Sequence, residues 1–394
     1  MDNSILSAEV QEFINKNLNS DVAVLALQKN KFPNKDWTAI LNQIVAKQKA
    51  KSKLPTWFKT NTIYYPTKLS IEQTSSEKTA QYKSQFVSGN NLIDLTGGFG
   101  VDDFYFAKKI NTVIHCEINA ELSKIVSHNF LQLDIKNIEC SAGDSYNILL
   151  NINQKFDWIY IDPSRRNEAK GKVFMLKDCL PNVPELLEFY FEFADNIMIK
   201  TAPILDISAG LLELKNVKAI HIVALENEVK ELLWILEKNY SQPVKIITCN
   251  LSKETTEEFR FTHGNSSVSK YGLPKKYLFE PNAAIMKSGG FDEITSQFEV
   301  EKLHQHSHLY TADSVIDFPG RIFKIENHFE YNKQNMSQNF GIENKKANIT
   351  TRNFSETVEN IRKKWKINDG GNLYCFFTTN VNNSKIVLLC SKLK

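Results

Sequence analysis

The stretch NLIDLTGGFGVDD, Asn91 to Asp103, ends a short apolar run in Gly97, Gly98 and Gly100, then sets Asp102 and Asp103 where a helix should begin. Glycines after a first strand let a ligand approach the backbone with no Cβ in the way, and the following helix turns free N–H groups toward it. A pyrophosphate would use that end with the spacing G-x-G-x-x-G. Here the third glycine is missing, and two carboxylates stand where phosphate charge would have to sit. The spacing therefore favours a nucleoside ligand that lacks phosphate and carries positive charge.

S-adenosylmethionine, a sulfonium, meets that description better than NAD. Asp94, at the end of the strand, is within reach of the cofactor's amino group, while Asp102 or Asp103 is expected to cap the helix. Glu117 ends a second strand 17 residues after Gly100, where a carboxylate can accept both ribose hydroxyls. Asp144, in CSAGDSYN, follows a third strand and can accept from an adenine amino group. Asp162, in DWIYIDPSRR, follows a fourth and faces the space where methyl donor and acceptor should meet.

These acids need a scaffold that brings strand ends together. From Asn91 to about Leu251 strand-like and helix-like segments alternate, which predicts a mostly parallel sheet wrapped by helices with its ligand beyond the carboxyl ends of the strands. EVKELLWILEK reads as an apolar helix in that series, with Trp234 packed in the core and Glu226 and Glu228 as caps. Before it, the first 60 residues carry helical periodicity, with Asp21 and Asn34 as start signals, and Thr74-x-x-Glu77 has capping-box spacing. After about Ser252, short strands with glycine and proline punctuation predict one or two small α+β modules. SETVENIRKKWKI reads helical there, and NLYCFFTTN with SKIVLLCS as two strands.

Length fits two or three domains, and the composition, 42% hydrophobic and 24% charged, is that of a globular protein. No apolar run reaches membrane-span length and the N-terminus lacks signal-peptide order, so a cytoplasmic protein is expected. Six scattered cysteines without a Cys-x-x-Cys pair predict reduced, mostly buried thiols. His304, His306 and His308 alternate as metal ligands on one strand face would; with no fourth ligand, a solvated strand or loop is expected and no metal. Net charge is only +3, but from Gly341 onward ten Lys or Arg stand against four Asp or Glu, and KQKAKSK (Lys47 to Lys53) holds four lysines.

LIDLTGGFGVDD, HCEIN, AGDS and IDPSRR, preceded by EQTSSEKTA and followed by IKTAPILD, resemble the class I S-adenosylmethionine-dependent methyltransferases. With EPNAAIMKSGG, LYTAD, FPGRIF and ANITTRNF, the whole resembles the bacterial subgroup carrying a ferredoxin-like module and a C-terminal THUMP-like domain. The resemblance implies an α/β fold, a Rossmann-like methyltransferase sheet with an N-terminal helical region and small C-terminal α+β modules. It divides the chain into 1–60 (helical), 61–255 (methyltransferase), 256–317 (ferredoxin-like) and 318–394 (THUMP-like). Cofactor binding carries over to Asp94, Thr96, Gly97, Gly98, Gly100, Asp102, Glu117, Ile118, Asp144 and Ser145. The reaction centre carries over to Asp162, Pro163, Ser164 and Arg165, with Glu72 to Ser76 folding over cofactor or substrate.

THUMP domains bind structured RNA. The resemblance thus implies methyl transfer to ribosomal or transfer RNA, with Arg165, Arg166, Lys345, Lys346, Arg352, Lys363 and Lys364 meeting phosphates and Arg362 and Trp365 among them. Asp-Pro-Ser-Arg-Arg lacks the aromatic that amino-group methyltransferases stack on a base, and Cys179, a candidate thiolate for carbon methylation, has no basic partner in sequence. DNA, protein or small-molecule acceptors, and a non-catalytic RNA-binding or assembly factor on the same fold, are the alternatives.

Overall fold

The computed structural model describes residues 1–394 except 166–174, 254, 266 and 341–345. It separates into two compact units, Met1–Ala219 with Leu232–Gln242, and Ile220–Glu231 with Pro243–Lys394.

The first unit begins with helices α1 (Ala8–Lys16), α2 (Val22–Ala26), α3 (Trp37–Lys53), α4 (Pro55–Lys59), α5 (Lys68–Gln73) and α6 (Glu77–Ser84). Asp21 caps α2 through Ala23 N, as its position predicts, but Asp36 rather than Asn34 caps α3, through Ala39 N. The lysines of KQKAKSK are partly internal: Lys47 is buried and bonds Asn15, and Lys53 bonds the carbonyls of Ile71 and Glu72 at the end of α5. The capping box also shifts. Ser76 caps α6, and Glu77 accepts instead from Thr56 N at 2.5 Å and from the Tyr105 hydroxyl at 2.7 Å, because the open start of α4 and a buried phenol both require an acceptor there.

The alternating region follows: β1 (Asn91–Asp94), α7 (Val101–Phe106), β2 (Thr112–Glu117), α8 (Ala120–Gln132), β3 (Ile138–Ala142), α9 (Ser145–Ile152) and β4 (Trp158–Ile161). After them come a two-residue pair β5 (Ser164–Arg165) and β6 (Cys179–Leu180), then α10 (Val183–Tyr190), β7 (Asn196–Thr201) and α11 (Ile207–Glu213). Strands run in the order β7-β4-β1-β2-β3, all parallel, which is the expected α/β architecture. β1 and β4 are buried nearly throughout, the pattern of strands covered on both faces. Trp57, Tyr65 and Ile71 of the N-terminal segment share one core with Phe99, Phe104, Val126 and Phe130 around α7 and α8.

β8 (Val217–Leu225) and β9 (Glu228–Glu237) follow as strands; β9 lies antiparallel to β7, Ile199 opposite Trp234. The helix expected over EVKELLWILEK is therefore a strand. Six consecutive residues there, Glu231 to Leu236, are buried, so the run carries no periodicity that separates a buried helix from a buried strand. Neither expected cap forms: Glu226 takes positive φ with Asn227, 51° and 62°, in the two-residue turn of a hairpin, and Glu228 opens β9. Trp234 is core, fully buried, with its indole N–H donated to Thr201 at 3.0 Å.

In the second unit β10 (Lys245–Leu251) pairs antiparallel with β11 (Thr256–Thr262). Then come β12 (Tyr277–Pro281), α12 (Ala283–Ser288), α13 (Phe291–Gln297), β13 (Glu301–Lys302), β14 (Tyr310–Ala312), β15 (Gly320–Glu330), α14 (Lys333–Asn339), β16 (Asn348–Arg352), α15 (Val358–Trp365), β17 (Leu373–Thr379) and β18 (Lys385–Lys392). One sheet ordered β13-β14-β12-β15-β18-β17-β16 joins these strands. The three histidines lie in a turn between β13 and β14 instead of on a strand: His304 bonds Asn353 and Asn383, and His308 stacks on Phe291 at 3.6 Å. Among the described residues no group of three or more His, Cys, Asp or Glu is placed to hold a metal, and no helix is long and apolar enough to cross a membrane.

Candidate active site

The loop from β1 to α7 turns through Gly98 (φ +55°) and Gly100 (φ +74°), a hand that L side chains rarely adopt. Gly97 is glycine for a different reason: a Cβ there would stand 2.1 Å from the His115 ring. At Gly98 the nearest atom to a Cβ would be the Thr96 carbonyl at 3.7 Å, so the loop's outer side is open.

Glu117 crosses from the end of β2 to this loop. Its Oε2 accepts from Gly98 N at 3.0 Å and its Oε1 from Asn119 N at 2.7 Å, which fixes the carboxylate beside the glycines. Next to it Ile118 is 76% exposed, an apolar side chain standing over the strand ends. Asp144 is exposed and caps α9 through Asn147 N, with Ser145 partly buried behind it. Tyr146 stacks on Phe189 with ring centroids 4.4 Å apart.

Beneath the loop the acids behave differently. Asp94 is buried and accepts from Thr96 N at 2.7 Å and Thr96 Oγ1 at 3.1 Å. Asp103 bonds His115 Nδ1 at 2.6 Å, with both side chains fully buried. Burial first, then the neighbouring Asp103 charge for Asp94 and the Asp102 charge for Asp103, pushes the two carboxyls well above the usual range, and burial pushes His115 down, so this trio favours its neutral forms. Neither Asp102 nor Asp103 caps α7 through its side chain; Gly100 is the N-cap residue. Their carboxyls turn inward because partners wait there.

Asp102 is the ionised member. Burial alone would raise it, but Lys83 and Lys200 nearby, with bonds from Ser75 at 2.8 Å and Tyr160 at 2.9 Å, hold its carboxyl below the usual range. Lys83 Nζ lies 3.2 Å from Asp102 and is wholly buried. The same Ser75 hydroxyl accepts from Lys83 at 3.1 Å and from Lys200 at 3.3 Å, and Lys200, only 12% exposed, reaches Asp162 Oδ2 at 2.5 Å. Asp162 keeps 37% of its side chain exposed, and its backbone N–H donates to Thr96 Oγ1 at 2.6 Å, tying the ends of β4 and β1 together. Pro163 is buried beside it and Ser164 exposed.

The strand ends thus bring Asp94, Thr96, Asp102, Asp162 and the Ser75 turn into one bonded network, with Glu117 joined to the glycine loop. Lys83, Lys200 and Tyr160 complete it and were not singled out from sequence. Lys200 ends a fifth strand in IKTAP, the same kind of position that exposed the acids; Lys83 lies on a helix before β1 and gives no such signal. Cys179 is buried, with its sulfur 3.7 Å from the Met175 carbonyl oxygen. Arg166 and Lys345 lie outside the described residues, as does the side chain of Arg165.

The basic C-terminal set is not one surface. Arg352 pairs with Glu280 at 2.9 Å, Arg362 with Asp369 at 2.5 Å, and Lys364 with Glu356 at 3.1 Å. Trp365 donates to the Tyr331 hydroxyl at 3.1 Å. Lys346 and Lys363 are exposed.

Residues 277–319 match a ferredoxin-like domain family and residues 320–392 a THUMP domain-like family. The chain is 30% identical to a protein of Porphyromonas gingivalis W83 described as a "putative methyltransferase", whose crystal structure aligns over 100% of this chain and 99% of that one with a TM-score of 0.89. An rRNA methylase from Streptococcus thermophilus aligns at 16% identity over 41% of this chain and 94% of its own, TM-score 0.30. M. capricolum TrmK, solved with S-adenosyl-homocysteine, aligns at 12% over 45% and 70%, TM-score 0.33. No curated protein matches the chain.

Proposed function

Because the chain belongs to the class I S-adenosylmethionine-dependent methyltransferases that carry a ferredoxin-like module and a C-terminal THUMP-like domain, we propose that it transfers a methyl group from S-adenosylmethionine to RNA, ribosomal or transfer. The observation that carries this reading is the Glu117 carboxylate bonded to Gly98 N beside an exposed Ile118. An acid held there suits two ribose hydroxyls, and an apolar side chain beside it suits an adenine face.

The residues present fit such a cofactor: backbone N–H groups on an open loop, with a carboxylate fixed beside them. In this reading Glu117 holds the ribose, Ile118 and Ser145 flank the base, and Asp144 accepts from its amino group. Thr96, Gly97, Gly98 and Gly100 support the amino-acid end, with Asp94 and Asp102 fixing that loop from below. When bound, the cofactor supplies a methyl group on a positively charged sulfur. Asp162, steadied by Pro163, orients the acceptor, Ser164 and Arg165 extend that edge, and much of the rate comes from holding the acceptor in near-attack geometry. We assign RNA contacts to Lys346, Lys363 and Lys364, with Arg352, Arg165, Arg166 and Lys345, and retain domain limits near 61–255, 256–317 and 318–394.

Calorimetry with S-adenosylhomocysteine tests the cofactor. Wild type should bind, and Gly98→Arg and Glu117→Ala should abolish or strongly weaken the heat; no heat with wild type would overturn the reading. Tritiated methyl groups should enter RNA from a deletion strain and not the parent strain's RNA, and label found only in protein or DNA would overturn the RNA assignment.

A further inference from the structure

We propose that the acceptor atom is a hydroxyl oxygen, the ribose 2′-hydroxyl of RNA, and not a base nitrogen or carbon. The inference rests on the methyltransferase reading above and deepens it. Its ground is the charge on Lys200, whose Nζ stands 2.5 Å from Asp162 Oδ2 and 3.3 Å from Ser75 Oγ, with Lys83 on the other side of the same serine at 3.1 Å.

Lys83 is wholly buried against Asp102, whereas Lys200 stands with the half-exposed Asp162 at the edge that must also receive a sulfonium. Asp162 offsets the Lys200 charge toward the sulfonium, and the ammonium remains a fixed cation at the acceptor side of that edge. The acceptors differ in that respect. A neutral amine or ring nitrogen gains positive charge as its lone pair attacks, and a lysine beside it opposes the reaction. A hydroxyl becomes negative as its proton leaves, and a fixed cation stabilises that charge when it matters. A carbon acceptor would call for a thiolate partner, whereas Cys179 is buried, with its sulfur near the Met175 carbonyl. The segment Asp162-Pro163-Ser164-Arg165 also supplies no ring on which a base could stack.

The step balances within the site. A lone pair of the acceptor oxygen forms the bond to the methyl carbon, the carbon–sulfur pair stays on sulfur as a neutral thioether, and the hydroxyl proton passes to the Asp162 carboxylate. Lys200 lends its charge to the oxygen during the transfer. Ser75 and Asp102 hold the two lysines apart and in place.

The test incubates the full chain with S-adenosyl-[methyl-³H]methionine and total RNA from a deletion strain, then hydrolyses the RNA in alkali. A 2′-O-methyl group removes the hydroxyl that attacks the neighbouring phosphodiester, so label should remain in alkali-stable dinucleotides. Label in mononucleotides carrying a methylated base would overturn the inference and leave the methyltransferase reading standing. Label absent from RNA while S-adenosylhomocysteine still gives heat would overturn the RNA hydroxyl; no heat and no label would remove reading and inference together. Lys200→Met should lower transfer by roughly 10²–10³-fold, the scale of losing one stabilising group for developing negative charge, with unchanged S-adenosylhomocysteine affinity as evidence that it folds. Lys200→Arg, which keeps the charge, should recover most of that loss. A Lys200→Met enzyme at the wild-type rate would end the proposal.

Discussion

In the first unit Lys83 is fully buried and Lys200 nearly so, and each ammonium faces a carboxylate. In the second unit Lys363, on the last turn of α15, is exposed. The two settings ask different things of one residue type. Inside, a lysine is one term of a closed set of charges, and removing it strands the rest; outside, water already solvates the charge and the side chain is available to a partner.

The sharpest way to break this comparison is Lys83→Met. It leaves Asp102 buried with only Ser75, Tyr160 and the more distant Lys200 to answer its charge, which should cost about 3–5 kcal/mol in chemical denaturation. The double variant Lys83→Met with Asp102→Asn should recover much of that loss. If the single variant were as stable as wild type, the network would be no closed set, and the contrast with α15 would collapse.

A smaller effect is expected at Glu280, where a buried charge of the second unit imitates those of the first. Glu280 is buried on β12 and binds both Arg321 and Arg352, each still about a third exposed. Because solvent screens the two arginines, Glu280→Ala should cost about 1–3 kcal/mol, below the Lys83 variant. It should also release Arg352, so RNA affinity is expected to rise or hold while stability falls. Melting and filter binding on one preparation separate the two.

Asp103→Asn sharpens the comparison by pH. The folded state holds the Asp103 carboxyl above its ordinary value, so between that ordinary value and its folded one the native protein carries a proton that the unfolded chain has released. Wild-type stability contributed by this group is present below the unfolded value and declines as pH rises, by up to about 1.4 kcal/mol per pH unit. The asparagine variant has no such slope, so it should gain on wild type in thermal melts as pH rises from 5 to 8. His115, lowered by burial, adds the opposite slope below its ordinary value but is present in both proteins. A margin independent of pH would mean that Asp103 is ionised beside a charged imidazole.

The strand-end acids could be read from sequence because each sits one step beyond an apolar run, a position local spacing defines. Whether an acid faces the ligand or the interior could not. Asp102 and Asp103 turn inward because Lys83 and His115 wait there, partners supplied by α6 and β2 and identified only by the fold. β9 was misread for a related reason: burial on both faces erases the alternation by which a strand announces itself. The C-terminal cluster looked continuous because sequence counts the basic residues and not the Glu280, Asp369 and Glu356 that fold onto them.

Lys363 and its neighbour Arg362 test that last point at the smallest scale. Arg362 donates to the carbonyls of Ile367 and Ala347 as well as to Asp369, so it closes the end of α15. Arg362→Gln should therefore destabilise by about 1–2 kcal/mol through lost charge-assisted bonds. Lys363→Gln should change stability by less than about 0.5 kcal/mol, since only an exposed charge is removed. On RNA the order should reverse. Losing Lys363 should flatten the dependence of log affinity on log salt by roughly one phosphate contact, whereas losing Arg362, already committed to Asp369, should leave the slope nearly unchanged in whatever fraction stays folded. Equal slopes for both variants and wild type would mean that exposure on α15 does not mark an RNA surface, and the difference drawn between the two units would then concern stability alone.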